Sequence, residues 1–248
     1  ARGPMQTYAI GDIHGHLDLL NGAHELIAAD RAANGEAVAQ VVHIGDVVDR
    51  GPDSRGVIAF LMAGLAEGQP WVVLKGNHDR MFTSFLANPW ARDPGLRAEM
   101  SWLHPRLGGP QTLASYGLRE PANRPVDKVH AEALEAVPQV HVDWLSALPT
   151  HLLLGQALFV HAGIRPGVDL SAQSEDDLLW IRAAFLEDAR DHGALVVHGH
   201  TAIDTPRNYG NRLNIDSSAA YGGPLSAVVI ERRDAWLLTP QGRVPITP

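Results

Sequence analysis

The stretch that decides the fold is VVHIGDVVDRG, residues 41–51, in which a mostly apolar run leads directly into a polar turn containing glycine. The same arrangement recurs at residues 7–15 (TYAIGDIHG), 71–79 (WVVLKGNHD), 158–163 (LFVHAG) and 195–201 (LVVHGHT). Short runs rich in β-branched and aromatic residues are typical of buried strands. The sequence therefore predicts five strands, each followed by a loop that carries polar side chains.

Two helix-like segments separate the first three predicted strands. Residues 18–33 and 54–67 place apolar side chains three or four positions apart, which is the period of an amphipathic helix. We expect Ser54 to be the N-cap of the second helix and Gly68 to end it. This alternation of strand and helix predicts a βαβαβ unit with a parallel sheet. Ligands of such sheets bind at the carboxyl ends of the strands, where all five polar turns fall.

Residues 87–130 interrupt the alternation, because they are rich in Pro, Gly, Trp and Arg. We expect an irregular helical insertion that forms a small cap over the site, with Trp90 and Trp102 in the core of the cap. Residues 5–248 are expected to form one domain that includes this insertion. Residues 1–4 are expected to be a remnant of the expression vector.

The C-terminal half predicts further short elements. We expect a helix over residues 142–148, a hairpin over residues 152–160, and a helix that begins after Ser174 and carries Arg182. His43 lies inside an apolar strand and is expected to be a packed core histidine. Three tail segments are predicted to form antiparallel strands: residues 213–216, 227–231 and 235–239.

Composition excludes several classes of function. The chain has 248 residues, 45% of them hydrophobic, which excludes a disordered protein. Its net charge is −8, so it is a poor candidate for binding nucleic acid or an anionic membrane. It has no cysteine, which excludes disulfides, thiol catalysis, zinc ribbons and iron–sulfur clusters. No apolar run reaches membrane-spanning length and no signal peptide is recognisable, so we expect a cytoplasmic location.

The polar turns supply side chains that suit divalent metal ions. Carboxylate, imidazole and amide groups are ligands for hard and borderline ions. Two carboxylates with three imidazoles are too many for one structural zinc and suit two ions that share a carboxylate. Arg50 and Arg182 are candidates for binding a phosphate through its oxygens. The candidate metal ligands are Asp12, His14, Asp46, Asn77, His161 and His200.

Three of these turns resemble a known family. GDIHG (residues 11–15), GDVVDRG (45–51) and GNHD (76–79) are similar, in this order, to the signature motifs of the bacterial-type phosphoprotein phosphatase family of calcineurin-like metallophosphoesterases. His161, Arg182 and the GHT of residues 199–201 extend the resemblance over most of the chain. The resemblance implies an α/β fold, a sheet sandwich flanked by helices. It also implies hydrolysis of phosphate esters by direct attack of a metal-bridging hydroxide.

The resemblance also implies a role for each residue of the site. His78 would be the general acid, and Asp49 would orient it and favour the protonated imidazole. Arg50, Asn77 and Arg182 would hold the phosphate. The metal ligands would divide into Asp12 and His14 on one ion, Asn77, His161 and His200 on the other, and Asp46 as the bridge.

Two positions depart from the eukaryotic pattern of this family. Asp79 stands where glutamate is usual, and His198 stands where an arginine is common. Only one residue of an alternating pair faces the site in an extended segment. We therefore expect His200 to bind metal and His198 to be a hydrogen-bonded neighbour, with the reverse assignment as the alternative. Manganese is the expected metal for both ions, and iron or zinc also suits this donor set.

The leading expectation for function is a phosphatase of the serine/threonine type, acting on phosphoserine or phosphothreonine, with phosphotyrosine and small phosphoesters as further substrates. One alternative is hydrolysis of dinucleoside polyphosphates such as diadenosine tetraphosphate, which would need a nucleoside pocket built from Trp90, Trp102 or Tyr116. Another alternative is a metal-binding module without activity. No nucleic acid, membrane or stable protein partner is expected.

Overall fold

The computed structural model describes residues 5–34 and 38–248, so the expected vector remnant at residues 1–4 lies outside the described residues. The strands of the described chain are β1 (Gln6–Ile10), β2 (Val41–His43), β3 (Trp71–Val73), β4 (His151–Leu154), β5 (Ala157–Val160), β6 (Leu195–His198), β7 (Arg207–Asn208), β8 (Arg212–Asn214), β9 (Ala227–Glu231), β10 (Asp234–Thr239) and β11 (Gly242–Pro245). Its α-helices are α1 (Leu17–Asn34), α2 (Ser54–Ala66), α3 (Asn77–Ala87), α4 (Gly109–Ser115), α5 (Val126–Ala136), α6 (Gln139–Ser146), α7 (Glu175–Trp180) and α8 (Ala183–Leu186).

The first sheet has the strand order β11-β10-β9-β1-β2-β3. Its strands β1, β2 and β3 are parallel, as the βαβαβ pattern predicts. Ile10 pairs with His43, and His43 pairs with Val73. Because these three residues are level with one another, the turns that follow the strands leave the sheet side by side. The strands β9 and β10 are antiparallel to their neighbours, as predicted for the tail.

The second sheet has the strand order β4-β5-β6-β8-β7. The predicted hairpin is confirmed, since β4 and β5 are antiparallel and pair Leu154 with Ala157. The prediction for the tail segment at 213–216 is wrong in part, because β8 runs parallel to β6 and pairs Leu213 with Val197. Short apolar segments do not encode their partner strand, and here the pairing places this segment in the second sheet.

The two sheets pack face to face, and helices cover their outer faces. Ala9 and Val42 of the first sheet are buried together with Phe159, Val197 and Leu213 of the second. A larger core lies between the other face of the first sheet and helices α1, α2 and α3. A smaller one lies between the second sheet and α7 and α8. The predicted α/β sandwich flanked by helices is therefore confirmed.

The boundaries of α2 and α6 differ from the sequence prediction. The side chain of Asp53 accepts a hydrogen bond from the amide of Gly56 at 2.8 Å, so Asp53 and not Ser54 is the N-cap of α2. Both residues are common caps, and the difference is which side chain reaches the free amides of the first turn. Gly68 follows the helix with a φ of +82°, as expected for a C-terminal stop. Helix α6 begins at Gln139, three residues before the expected start.

The segment 87–130 holds α4 and the beginning of α5, separated by turns. Trp102 is buried, as expected, but Trp90 is largely exposed, so its expected place in a core is wrong. No helix among residues 5–34 and 38–248 is long and apolar enough to cross a membrane. Helix α7 begins after Ser174, whose hydroxyl accepts a hydrogen bond from the amide of Asp177, as predicted. That the chain forms one domain with a cap stays a prediction.

Candidate metal and phosphate site

The loops after β2 and β3 touch each other at the carboxyl ends of the parallel strands of the first sheet. The backbone after β2 is left-handed at Gly45, with φ of +101°, and at Asp46, with φ of +53°. Gly76 of the next loop lies so close that a Cβ atom there would be 2.1 Å from Oδ1 of Asp46. Only glycine allows this approach. The amide of His78 then donates a hydrogen bond to Asp46 Oδ1 at 3.0 Å.

Asp46 lies between two buried histidines. Its Oδ2 atom is 3.4 Å from Nε2 of His14 and 3.2 Å from Nε2 of His161. On the side of His14, Oδ2 of Asp12 is 3.9 Å from the same Nε2 atom. One carboxylate thus faces a histidine ligand atom on either side, which is the arrangement that two ions sharing a carboxylate require.

Asn77 joins the second side of this cluster. Its Oδ1 atom is 2.9 Å from Nε2 of His161 and 3.2 Å from Nδ1 of His200. The ligand atoms of Asp46, His161 and His200 lie within 4.8 Å of one another, and so do those of His14, Asp46 and His78. Asp46 belongs to both groups. The structure therefore brings together all six metal ligands expected from the sequence.

The backbone selects the tautomer of two of these histidines. Nδ1 of His14 donates to the carbonyl oxygen of Val48 at 3.0 Å, and Nδ1 of His161 donates to that of Ile44 at 2.9 Å. A neutral ring that donates from Nδ1 carries its lone pair on Nε2. Both Nε2 atoms face Asp46, so the two rings present their lone pairs to the place where a cation would lie.

The charges of the site suit cations. Burial raises the pKa of Asp12 well above its ordinary value, and the neighbouring Asp216 and Asp46 raise it further. Burial also acts to raise the pKa of Asp46, but His161, His78 and other partners outweigh it and hold this pKa well below its ordinary value. Three buried carboxylates this close to one another need compensating positive charge. The donor set therefore fits a pair of divalent ions.

The structure separates His198 from His200. His198 is fully buried, its Nδ1 donates to the carbonyl oxygen of Gly199 at 3.0 Å, and its Nε2 accepts from Arg212 at 3.1 Å. Burial, followed by the charge of Arg212, lowers the pKa of His198 to about 3, so the ring is neutral. Both ring nitrogens are thus engaged away from the cluster, whereas Nδ1 of His200 faces Asn77.

His78 and Asp49 form a hydrogen-bonded pair next to the cluster. Nδ1 of His78 donates to Oδ2 of Asp49 at 2.7 Å, so the opposite ring nitrogen, Nε2, remains for the pocket. Burial lowers the pKa of His78, and Asp46 and Asp49 only partly offset this effect. The hydrogen bond and the charge of Asp49 both raise the pKa of His78 and so favour the protonated imidazole, as expected, but the loss of hydration outweighs them.

Arg50 and Arg182 line the same cavity, of about 330 Å³, as His78 and Asn77. The guanidinium group of Arg50 donates to the carbonyl oxygen of Arg106 from Nε and Nη2, both at 3.2 Å. Arg182 was expected on a helix, but it lies in the break between α7 and α8, with φ of −128° and ψ of −103°. This break turns its side chain toward the cavity, where Nη1 donates to Thr201 at 3.2 Å.

Comparison with known proteins agrees with this geometry. The sequence profile of the calcineurin-like phosphoesterases matches residues 5–229. The chain belongs to this family. Members of the calcineurin-like phosphoesterase family use a dinuclear metal centre, in keeping with the two ligand groups that share Asp46.

Relatives within the calcineurin-like family carry a nucleotide-directed name. The asymmetrical bis(5'-nucleosyl)-tetraphosphatase PrpE of Geobacillus thermodenitrificans is 24% identical over 203 residues, 75% of this chain and 73% of that protein. The symmetrical bis(5'-nucleosyl)-tetraphosphatase of a Janthinobacterium species is 31% identical over 163 residues, 65% of this chain and 45% of that protein.

A solved structure with the same fold is the cold-active protein-tyrosine phosphatase of a psychrophilic Shewanella species. It superposes with a TM-score of 0.61 over 99% of this chain and 81% of that one, at 17% identity. At this level of identity the likeness concerns the fold of the phosphoesterase alone.

Three buried residues next to the phosphoesterase site, Asp79, Trp102 and Thr112, make hydrogen bonds that the sequence analysis did not predict. Oδ2 of Asp79 accepts hydrogen bonds from the amides of Asp46 at 2.9 Å and Gly76 at 2.8 Å. Trp102 Nε1 and Thr112 Oγ1 donate to the carboxylate of Asp49 at 2.8 and 2.7 Å. The acidic residue inside GNHD was a signal for the role of Asp79, but nothing in the local sequence points to the contacts of Trp102 and Thr112.

Proposed function

We propose that this phosphoesterase hydrolyses phosphomonoesters of protein side chains, phosphoserine and phosphothreonine first, with phosphotyrosine as a further substrate. The observation that carries the proposal is the buried His78–Asp49 pair, with 2.7 Å between Nδ1 and Oδ2, whose His78 lines the same cavity as Arg50 and Arg182. An alkoxide is a poor leaving group and needs a proton in the transition state, which a paired imidazole can supply.

Two divalent ions are the proposed cofactor, with manganese first and iron or zinc as other ions that this donor set accepts. Asp12 and His14 would hold one ion, Asn77, His161 and His200 the other, and Asp46 both. When bound, such a pair polarises a phosphoryl oxygen and lowers the pKa of a coordinated water.

The two arginines would orient the phosphate. Arg50 lies partly buried at the cavity wall, while Arg182 is exposed and reaches in from the loop between α7 and α8. Guanidinium groups match pairs of phosphate oxygens. A bound phosphate would also place negative charge beside His78. That charge raises the pKa of His78 and opposes the effect of burial, so the ring gains its proton when substrate is present.

The proton of His78 would pass from Nε2 to the ester oxygen as the bond to phosphorus breaks. Nitrophenolate is stable without a proton, whereas a serine alkoxide is not. We therefore expect His78→Asn to lower hydrolysis of a phosphoserine peptide by about 10²–10⁴-fold, and hydrolysis of p-nitrophenyl phosphate much less. Metal content, measured by elemental analysis, should stay at the wild-type value.

Asp49→Asn is the matched variant and should show a milder form of the same unequal loss. Equal losses on both substrates, with both ions retained, would show that His78 serves the nucleophile or the phosphate and not the leaving group. Absence of metal-dependent turnover on any phosphoester would leave only a metal-binding module and would end the proposal.

A second candidate function is hydrolysis of dinucleoside polyphosphates. The names of the tetraphosphatase relatives favour it. So does an open groove of about 550 Å³ that begins at Arg50 and Tyr221 and runs past Arg106 and Gln111. Tyr221 is 66% exposed, and the guanidinium group of Arg50 lies 5.1 Å from its ring centre. An exposed aromatic ring beside cationic groups suits a nucleobase and its phosphates.

A side-by-side assay separates the two candidates. A phosphopeptide and diadenosine tetraphosphate are offered to the same metal-loaded enzyme, and kcat/KM is compared. The leaving group of a polyphosphate is a weak base, so His78→Asn should affect its hydrolysis little. A higher kcat/KM for diadenosine tetraphosphate that falls with Tyr221→Ala would support the second candidate over the first.

A further inference from the structure

The segment 87–130 touches the site through the loop that carries Asp49 and Arg50. The amide of Arg50 donates to the carbonyl oxygen of Gly108 at 3.1 Å, and its guanidinium group donates to that of Arg106. The amide of Asp49 donates to Thr112 Oγ1 at 2.9 Å. The insertion therefore forms the wall against which this loop rests.

The carboxylate of Asp49 depends on the insertion for its partners. It is fully buried, and its Oδ2 atom accepts from Nδ1 of His78 at 2.7 Å and from Nε1 of Trp102 at 2.8 Å. Its Oδ1 atom accepts from Thr112 Oγ1 at 2.7 Å. A buried carboxylate needs such donors. Two of the three come from the insertion, and the third is the proposed catalytic ring itself.

The indole ring of Trp102 is held in one orientation. It stacks on Phe82 with ring centres 5.1 Å apart and an angle of 20° between the planes, and its centre lies 5.0 Å from that of Phe85. Both phenylalanines belong to α3, whose first turn contains His78. The helix, the indole and the carboxylate thus form a closed set of contacts around His78.

We propose that the insertion is part of the active site, and that Trp102 and Thr112 are positioning residues that hold Asp49 so that its carboxylate orients His78. This inference rests on the proposed role of His78 as the acid for the leaving group. Without the two donors, the carboxylate can rotate or move toward other partners, and the imidazole loses its fixed direction. The chemical step would then suffer where the leaving group needs the proton.

The test uses Trp102→Phe, which keeps an aromatic ring between Phe82 and Phe85 but removes the N–H donor. Thr112→Val, which keeps the shape and removes the hydroxyl, is the second variant in case the first is poorly folded. Trp90→Phe is the matched control, because Trp90 lies in the same insertion and is 69% exposed. Each change is made in the wild type and in His78→Asn, and kcat is measured on a phosphoserine peptide and on p-nitrophenyl phosphate.

We expect Trp102→Phe and Thr112→Val each to lower kcat on the peptide by about tenfold, a part of the 10²–10⁴-fold that a general acid contributes, and to leave kcat on p-nitrophenyl phosphate within about twofold. In the His78→Asn background neither change should lower kcat further, because residues that act through one group are not additive. Trp90→Phe should change nothing. Losses that are equal on both substrates, or that persist in the His78→Asn background, would overturn the inference.

A second measurement does not depend on activity. In ¹H–¹⁵N NMR spectra, the indole signal of Trp102, assigned by its loss in Trp102→Phe, should move in Asp49→Asn and in His78→Asn, while that of Trp90 stays in place. An unmoved Trp102 signal would overturn the inference even in an active enzyme. If the wild type hydrolyses no phosphoester but the signal moves, the proposed function fails while the positioning contact stands.

Discussion

Asp79 holds the backbone of the loop that carries Asp46. Its Oδ2 atom accepts from the amides of Asp46 and Gly76, and its Oδ1 atom accepts from the amide of Val47 at 2.9 Å. One buried carboxylate thereby joins the turn after β2 to the turn after β3. Burial, reinforced by the charge of Asp46, raises the pKa of Asp79 to about 7 although three amides donate to it.

We predict that Asp79→Asn lowers the free energy of unfolding by about 1–3 kcal/mol, because an amide side chain cannot accept on both sides and leaves a buried N–H unpaired. Urea denaturation followed by circular dichroism measures this change. Asp127→Asn on the exposed face of α5 makes the same chemical change and should stay within about 0.5 kcal/mol of the wild type. Equal stability of the two variants would contradict the role given to Asp79.

Asp46→Asn should be the most damaging change to metal binding. As the carboxylate between His14 and His161, Asp46 would serve both ions and reduce the repulsion between them. We expect one ion or none in elemental analysis of this variant, and no measurable turnover. His14→Gln should lose one ion only. An Asp46→Asn protein that keeps two ions would rule out the bridging position.

His200 and His198 should respond differently to the same substitution. We expect His200→Gln to lose one ion. When both proteins are measured without metal, its thermal unfolding midpoint should be close to that of the wild type. His198→Gln should keep both ions and unfold at a lower temperature, because it disrupts the buried contact with Arg212. Elemental analysis and calorimetry of the two variants decide the assignment, and loss of an ion from His198→Gln would reverse it.

Arg182→Ala should weaken phosphate binding without changing the metal content. A hydrogen bond to a charged group is worth about 1.5–3 kcal/mol, or about 10- to 100-fold in affinity. We expect KM for a phosphopeptide and the inhibition constant of inorganic phosphate to rise by such a factor. Arg165→Ala is the control, since Arg165 pairs with Asp177 outside the cavity, with 2.6 Å between Nη2 and Oδ1. Unchanged kinetics in Arg182→Ala would place Arg182 outside the phosphate site.

The stability of the protein should fall on acidification because of a pair formed by the buried His43 and the partly buried His24. Nε2 of His24 and Nε2 of His43 are 3.0 Å apart, beneath the ring of Trp71. Burial lowers the pKa of His24 to about 3, with the charge of His43 adding to it, and lowers that of His43 to about 4. In the unfolded chain these two histidines bind protons near pH 6.5, so their contribution to stability is complete above that pH. It is lost as the pH falls from 6.5 to about 4 for His43 and to about 3 for His24.

His24→Phe should therefore flatten the dependence of unfolding free energy on pH between 6.5 and 4. One histidine contributes at most about 1.4 kcal/mol per pH unit, and the difference in slope between wild type and variant measures it. Urea titrations at four pH values in this range are sufficient. Identical slopes would show that His24 titrates alike in the folded and unfolded chain.

The local pattern of the sequence was enough to predict the strands that carry the turns and the six candidate ligands. Each ligand lies within a few residues of a strand end, and parallel strands in register bring their carboxyl ends to one edge. The pairing of Ile10, His43 and Val73 shows this register. The parallel strands and the place where the candidate ligands meet were predictable because chain direction and hydrophobic pattern determine both, whereas the sandwich of two sheets followed from the resemblance to the family.

Only the tertiary structure decided the contacts between segments that are far apart in the chain. Trp102 and Thr112 lie 53 and 63 residues after the carboxylate of Asp49 to which they donate. Three further features depend in the same way on the neighbouring segments of the fold. They are the break between α7 and α8 that directs Arg182 into the cavity, the contact of His198 with Arg212, and the pairing of β8 with β6. Hydrogen bonds of buried polar groups are satisfied by whichever donor the fold brings near, and no local pattern encodes that donor.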